Sequence, residues 1–334
     1  MTKTYYRPIA QTDRCRPKGA LPLAGGWSWF THLERLQRDR KGEVVPIVEM
    51  PSDVRERLTE VRAPICGLSM NTPRIMGILN ATPDSFSDGG KHDSFETAIA
   101  RGLALEGKGA DILDIGGEST RPGADFVSAE QEIARTTPVI CALKKAGFSL
   151  PISIDTRKAE VAQAALNGGA VLFNDVTALS FDANSATVAA NSNAAVCLMH
   201  ASGDPKNMQD NLEYDDILLD VYDYLEQRIT FAERAGVARE RIIIDPGIGF
   251  GKTLEQNLTL LRGLSLFHGL GCPVLLGVSR KRFIGVIANA QEAASRGPGS
   301  VALGLEALRQ GVQILRVHDI DMTKQAISLW QATL

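Results

Sequence analysis

Ile75–Gly90, reading IMGILNATPDSFSDGG, is the stretch on which the fold turns. It opens as an apolar run and breaks at Asn80. A loop follows with two carboxylates (Asp84, Asp88), two hydroxyls (Ser85, Ser87) and one aromatic ring, Phe86. A simple turn needs only one or two special residues. A buried strand that ends in a long polar loop is how a rigid scaffold presents a reactive site. Working outward, short apolar, β-branched runs end the same way at Ala110–Gly116, Pro151–Asp155, Val171–Asp175, Val196–His200, Arg241–Asp245, Pro273–Ser279 and Gln313–His318. Unbroken hydrophobicity suits strands covered on both faces, hence a parallel sheet. Helical stretches lie between them, as at Ser94–Gly107, Ser128–Ala146, Lys158–Asn167 and Tyr214–Gly236. Gly109, Gly169 and Gly311 stand where a helix should stop and the next strand begin. With the first run there are eight βα units. This predicts an α/β chain folded as a (β/α)8 TIM barrel, with an open doubly wound sheet as the alternative.

The 334 residues suffice for one barrel and about 70 residues more. Residues 1–70 carry no βα repeat and form an N-terminal extension to a barrel over 71–334. Within it, Trp27–Arg38 predicts a short amphipathic helix and Val44–Met50 a strand. Pro64–Ser69 and Arg74–Gly77 predict a hairpin feeding the first barrel strand, and such a segment can plug the N-terminal end of the barrel. The extension is expected to carry no chemistry. A net charge of −3 provides no global basic field for nucleic acid. No apolar run approaches the length of a membrane span, and with no apolar h-region in the first residues no signal peptide is expected. Cys15, Cys66, Cys141, Cys197 and Cys272 are scattered without a CxxC pair, so we expect reduced thiols in a cytoplasmic protein.

In such a barrel the active site lies at the C-terminal strand ends. The residues there are Asn80, Asp114, Asp155, Asn174, Met199, His200, Asp245, Ser279, Arg280, Lys281, Arg316 and His318. Asp and Asn suit an edge of alternating donors and acceptors, as in an aminopyrimidine ring. Arg, Lys and His suit phosphate. Together they read as a site for a nitrogen heterocycle bearing a phosphoryl leaving group. Taken singly, some positions have plainer readings: Asp155 as a helix N-cap, Asp245-Pro246 as a turn, and His200 as a core histidine. Gly247–Thr253 resembles a phosphate loop, but a Walker A glycine would fall at Pro246, so an NTPase is not indicated. It reads instead as a βα connection whose Phe250 closes over a ring. Gly116–Gly123 lacks GxGxxG and reads as a lid bearing Thr120 and Arg121.

NATPDSFSDGG and DIGGESTRPGA are similar to the two signature loops of the dihydropteroate synthase family. SIDT, FND, CLMH, DPGIGFGK, GVSRK and RVHD resemble its remaining motifs, in the same order. The resemblance runs from about Arg74 to the C-terminus. It implies a (β/α)8 barrel, usually homodimeric, that joins p-aminobenzoate to 7,8-dihydropterin-6-ylmethyl diphosphate and releases diphosphate. By that resemblance Asp114, Asp155, Asn174, Asp245 and Lys281 bind the pterin, and Met199 and Phe250 pack on its ring. Asn80, Arg316 and His318 match the diphosphate and Mg²⁺ site, with Asn80 supplying a metal-ligating carbonyl. Thr120, Arg121 and Pro122, with Phe86, would cover p-aminobenzoate. Catalysis would rest on Asp155, Lys281, Arg316, Thr120 and Arg121. One departure stands out. Arg282 follows Lys281 where many members have Ser, beside the expected p-aminobenzoate carboxylate, which an Arg can pair. A methyltetrahydrofolate–corrinoid methyltransferase and a non-catalytic pterin-binding paralogue are the rival readings; the complete ESTRPG, SRK and RVHD motifs favour the synthase.

Overall fold

The computed structural model describes residues 3–81, 91–119, 124–203 and 212–334, excepting the side chains of 91–94. The extension comprises β1 (Tyr5–Pro8), the two-residue strands β2 (Leu21–Pro22) and β3 (Trp29–Phe30), β4 (His32–Gln37), β5 (Arg40–Pro46) and helix α1 (Ser52–Thr59). Strands β1, β4 and β5 make an antiparallel sheet with β4 central. This corrects the helix expected over Trp27–Arg38. Apolar residues spaced by three there fit a strand buried on both sides equally well. Leu33 packs with Phe30, Val45 and Leu58 in the extension's own core, whereas Leu36 packs against the barrel core. Pairing with strands on both sides then overrides helical spacing. The strand expected over Val44–Met50 is β5, which begins earlier and ends at Pro46 before a 3-10 turn.

Pro64–Ser69 does not pair with the first barrel strand; its hairpin is closed within itself. Ile65 and Leu68 exchange both backbone hydrogen bonds, at 2.9 and 2.8 Å. Cys66 and Gly67 between them have φ of +51° and +79°, the two positive values a type I′ turn demands. Ile65, Leu68 and Met70 pack against Met76, Ile112, Leu172, Cys197, Ile243, Leu275 and Ile314, the lower layer of the barrel interior. The hairpin therefore closes the N-terminal end of the barrel.

The barrel strands are β6 (Arg74–Asn80), β7 (Ile112–Gly116), β8 (Ile152–Asp155), β9 (Leu172–Asp175), β10 (Ala195–Met199), β11 (Ile242–Asp245), β12 (Leu275–Leu276) and β13 (Ile314–Val317). All neighbours are parallel, in the order β11-β10-β9-β8-β7-β6-β13-β12, and an Ile244–Val274 bridge joins β11 to β12. The sheet thus closes on itself as a (β/α)8 barrel. Around it run α2 (Lys91–Gly107), α3 (Ala129–Lys145), α4 (Ala159–Asn167), α5 (Ser185–Asn191), α6 (Ile217–Arg234), α7 (Leu254–Arg262), α8 (Arg282–Ile287), α9 (Gly297–Arg309) and α10 (Ile320–Ala332). Local chemistry sets the helix ends. Ser128 and Asp216 cap α3 and α6, and Thr253 with Gln256 forms a capping box on α7. Gly109, Gly169 and Gly311 sit at positive φ past helix ends, with the paired hydrogen bonds of Schellman motifs.

Candidate active site

Side chains two apart on a strand share a face. Two positions beyond the interior residues Ile112, Leu172, Cys197, Ile243, Leu275 and Ile314 stand Asp114, Asn174, Met199, Asp245, Gly277 and Arg316. Asp155 likewise follows the buried Ser153. The barrel interior thus changes from an apolar lower layer to a polar upper one. Asp155, Asn174, Met199, Asp245, Phe250, Lys281 and Arg316 line one cleft at the C-terminal strand ends. Asp114 lies beneath it, fully buried.

Arg316 organises the floor. Its Nε donates to Asp114 Oδ2 and its Nη2 to Asp155 Oδ2, each at 2.6 Å. Asn174 Nδ2 donates to the same Asp114 oxygen at 3.3 Å. The other oxygens, Asp114 Oδ1 and Asp155 Oδ1, are buried and find no hydrogen-bond partner among the described residues. Unpaired buried carboxylate oxygens call for a ligand that donates. Burial, opposed by the Arg316 charge, lifts the Asp155 carboxyl to about 7. Burial also lifts Asp245 to about 6, against the Gly247 amide that donates to its Oδ1 at 2.7 Å and the charge of Lys281. Burial thus moves both carboxyls up from the ordinary carboxylate range, whereas Arg316 is held protonated by Asp114 and Asp155 in spite of burial.

The upper wall is the loop after β11. Gly247, Gly249 and Gly251 all adopt positive φ. A Cβ at Gly247 would lie 1.8 Å from the His200 carbonyl oxygen, so only glycine lets this loop rest on the segment after β10. The loop carries Phe250, whose ring centroid is 4.0 Å from Lys281 Nζ. Lys252, next but one, turns inward and is buried. His200 is a buried side chain beside it, packed edge-on against Tyr224, in keeping with its reading as a core residue.

Other expected residues stand around this cleft without lining it. Asn80 ends β6 with a partly buried side chain. The backbone amide of His318 donates to Ser279 Oγ at 3.0 Å, and its Nδ1 lies 3.0 Å from the same hydroxyl. Arg282 opens α8 and is exposed. Phe86, Thr120, Arg121 and Pro122 lie outside the described residues. Val176, Ile248 and Gly277 also line the cleft and were not expected. Their only signal was position, each one to three residues beyond an expected residue or the end of its strand. A second cluster carries no signature in the sequence. Buried Lys158 donates to Glu118 at 2.8 Å and to Glu132 at 2.7 Å, and Glu118 Oε1 accepts the Val127 amide at 3.0 Å.

A parallel barrel with carboxylates, a carboxamide, a lysine and an aromatic ring around an upper cleft defines the class of heterocycle-binding barrel enzymes. The profile of the family described as "Pterin binding enzyme" matches residues 76–318, and the chain belongs to that family. The chain is 47% identical over 268 residues to a dihydropteroate synthase of Neisseria meningitidis serogroup C, covering 79% of this chain and 94% of the relative. It is 44% identical over 267 residues to that of Escherichia coli K12, covering 80% and 94%. Among solved structures, Xanthomonas albilineans dihydropteroate synthase with 4-aminobenzoic acid superposes with a TM-score of 0.76 at 46% identity, covering 81% of this chain and 97% of that one. The same enzyme in complex with 7,8-dihydropteroate gives 0.71 at 43% identity, with coverage of 79% and 95%.

Proposed function

We infer that the protein catalyses the dihydropteroate synthase reaction, joining p-aminobenzoate to 7,8-dihydropterin-6-ylmethyl diphosphate to give 7,8-dihydropteroate and diphosphate. The observation that carries this is the convergence of Asp155, Asn174, Asp245 and Lys281 on one cleft, with Met199 and Phe250 beside them. Carboxylates accept from the ring's amino and ring N–H groups, and the carboxamide both donates and accepts. Similar structures hold 4-aminobenzoic acid and 7,8-dihydropteroate, which agrees with this reading.

The chain's own groups divide the work by charge. Asp155 lies at the wall of the cleft and stabilises positive charge developing on the pterin methylene as diphosphate leaves. Arg316 holds Asp155 and Asp114 in one geometry and adds positive potential for the leaving group. Lys281, beside Phe250, donates to an acceptor on the ring. The arylamine attacks with its own lone pair, so positioning rather than a strong base supplies most of the acceleration. Ser279 Oγ accepts the His318 backbone amide and lies 3.0 Å from its Nδ1, which holds the imidazole, a group suited to phosphate, at the end of β13. A Mg²⁺ ion bound with the diphosphate would neutralise charge on the leaving group. The donor set fits: Asn80 offers a hard carboxamide oxygen at a strand end, and Mg²⁺ keeps most of its waters and takes substrate oxygens. Thr120, Arg121, Pro122 and Phe86 would cover p-aminobenzoate, with Arg282 available to its carboxylate.

A homodimer belongs to the same proposal. Val286 and Ile287 on α8 and Met322 and Leu329 on α10 are exposed apolar side chains that a second copy would cover. Five free cysteines suit a reducing, cytoplasmic setting. Among the described residues no helix is long and apolar enough to cross a membrane.

The test is diphosphate release by purified protein given the pterin diphosphate and Mg²⁺, with and without p-aminobenzoate. Release coupled to dihydropteroate formation is expected. Tight pterin binding without product would leave a non-catalytic pterin binder.

A further inference from the structure

Lys252 is a buried lysine with no carboxylate in contact among the described residues; burial lowers its ammonium to about 7, against the attraction of the Asp245 charge. Its Nζ lies 2.8 Å from the Gly247 carbonyl oxygen, 2.9 Å from that of Phe250 and 3.3 Å from that of His200, with His200 Nδ1 at 2.9 Å. Three main-chain oxygens and an imidazole nitrogen thus surround one ammonium. They come from two loops, the one after β10 and the one after β11. These loops meet where Gly247 leaves no room for a Cβ against His200. Asn257 braces the same loop, donating to the Lys252 carbonyl at 3.2 Å and accepting from the Gly249 amide at 2.6 Å. Carbonyl oxygens turned toward one another repel and are costly to bury unpaired. The protonated Lys252 side chain, with three N–H donors among these oxygens, offsets that repulsion. Phe250, whose own carbonyl is one of the three main-chain acceptors, is the residue the loop sets over Lys281.

We propose that Lys252 is a positioning residue, a built-in internal cation that fixes the loop after β11 and so sets the affinity for the pterin ring through Phe250 and Lys281. The part concerning pterin rests on the function proposed above; the part concerning the loop does not. Lys252→Met keeps length and removes charge, whereas Lys252→Ala opens room for an added cation.

Hydrogen exchange without ligand reads the loop. The amides of Gly249 and Phe250 should lose protection at least about tenfold in Lys252→Met, and methylammonium should restore it in Lys252→Ala. Pterin diphosphate binding, measured in parallel on wild type and variants, should weaken at least about tenfold in Lys252→Met and recover with methylammonium in Lys252→Ala, each tenfold being about 1.4 kcal/mol. Unchanged exchange and affinity in Lys252→Met overturn the proposal. So does exchange lost equally across the barrel, or a failure of methylammonium to restore folded Lys252→Ala. If Lys252→Met does not fold, rescue of Lys252→Ala decides. Loop exchange that responds as stated while wild type binds no pterin would sink the functional reading and leave the loop's internal cation standing.

Discussion

Arg316 and Asp155 meet at 2.6 Å, Nη2 to Oδ2, while Nε of the same guanidinium reaches Asp114 at the same distance. One planar cation thereby ties the end of β8 to β7. The fork is rigid, so placing one carboxylate places the other, which a lysine could not do. Asp155→Asn preserves shape and removes charge, and Asp114 still holds Arg316. The expected result is at least a tenfold fall in kcat, about 1.4 kcal/mol, with pterin diphosphate still bound. Single-turnover kinetics beside a binding titration separate the two quantities. Near-normal turnover would remove Asp155 from the stabilisation of the cation.

Asp245 trades stability for function. Burial raises its folded carboxyl to about 6 from an ordinary 3.8. Between those values the folded protein keeps a proton the unfolded chain has lost. Its ionisation therefore lowers stability as pH rises toward 6, and that penalty persists at neutral pH. Asp245→Asn retains an acceptor for the Gly247 amide and removes the buried charge. It should raise the Tm of the unliganded protein at pH 7.5 while weakening pterin binding, since the amide leaves a ring donor poorly matched. In the wild type, kcat/KM for pterin diphosphate should fall as pH drops through about 7 and 6, where Asp155 and then Asp245 take up protons. A profile flat from pH 8 to 5 would contradict the requirement for ionised carboxylates.

Ile65 belongs to the opposite end of the barrel. It is 1% exposed and packs beneath the lower interior layer. Ile65→Ala leaves a cavity there, and about 2–5 kcal/mol of stability should be lost in urea unfolding. Both KM values should stay at wild-type levels, because the polar upper layer is supported by strand pairing and not by the hairpin. A variant with altered KM and unchanged stability would show that the plug communicates with the site.

Much of this was legible in the sequence. A polar residue that ends a run buried on both faces has few purposes besides a site, which is why Asp114, Asp155, Asn174, Asp245 and Arg316 stood out. The side of the strand was not legible. With both faces apolar, hydrophobicity carries no parity, so nothing in the sequence marked Val176, Ile248 and Gly277 as cleft residues. The extension misled for a related reason. Phe30, Leu33 and Leu36 have helical spacing, yet the two leucines serve two different cores from one strand. Lys252 was visible only as part of a glycine-rich motif. Its acceptors include the His200 carbonyl, 52 positions away, and no local pattern announces a cage assembled from two loops.

The cluster around Lys158 lends itself to a sharper test, because its members are buried and of unequal charge. Lys158 faces two carboxylates, Glu118 and Glu132, whose side chains are 3% and 0% exposed. Arg157 also reaches Glu118, at 3.3 Å. Lys158→Met leaves Glu132 with a buried charge and no cation in contact among the described residues. About 3–5 kcal/mol of stability should be lost. Burial already holds the Glu132 carboxyl above its usual range. Without the lysine it should protonate more readily still, so the loss should shrink as pH falls from 8 to 5. Glu132→Gln added to Lys158→Met should recover part of the loss, giving a coupling energy of about 0.5–3 kcal/mol in a double-mutant cycle. Through Glu118 this cluster binds the Val127 amide, on the far side of residues 120–122, which the proposed function sets over p-aminobenzoate. Lys158→Met should therefore raise KM for p-aminobenzoate more than KM for pterin diphosphate. An equal rise in both, or none, would confine the cluster to holding α3 and α4 together.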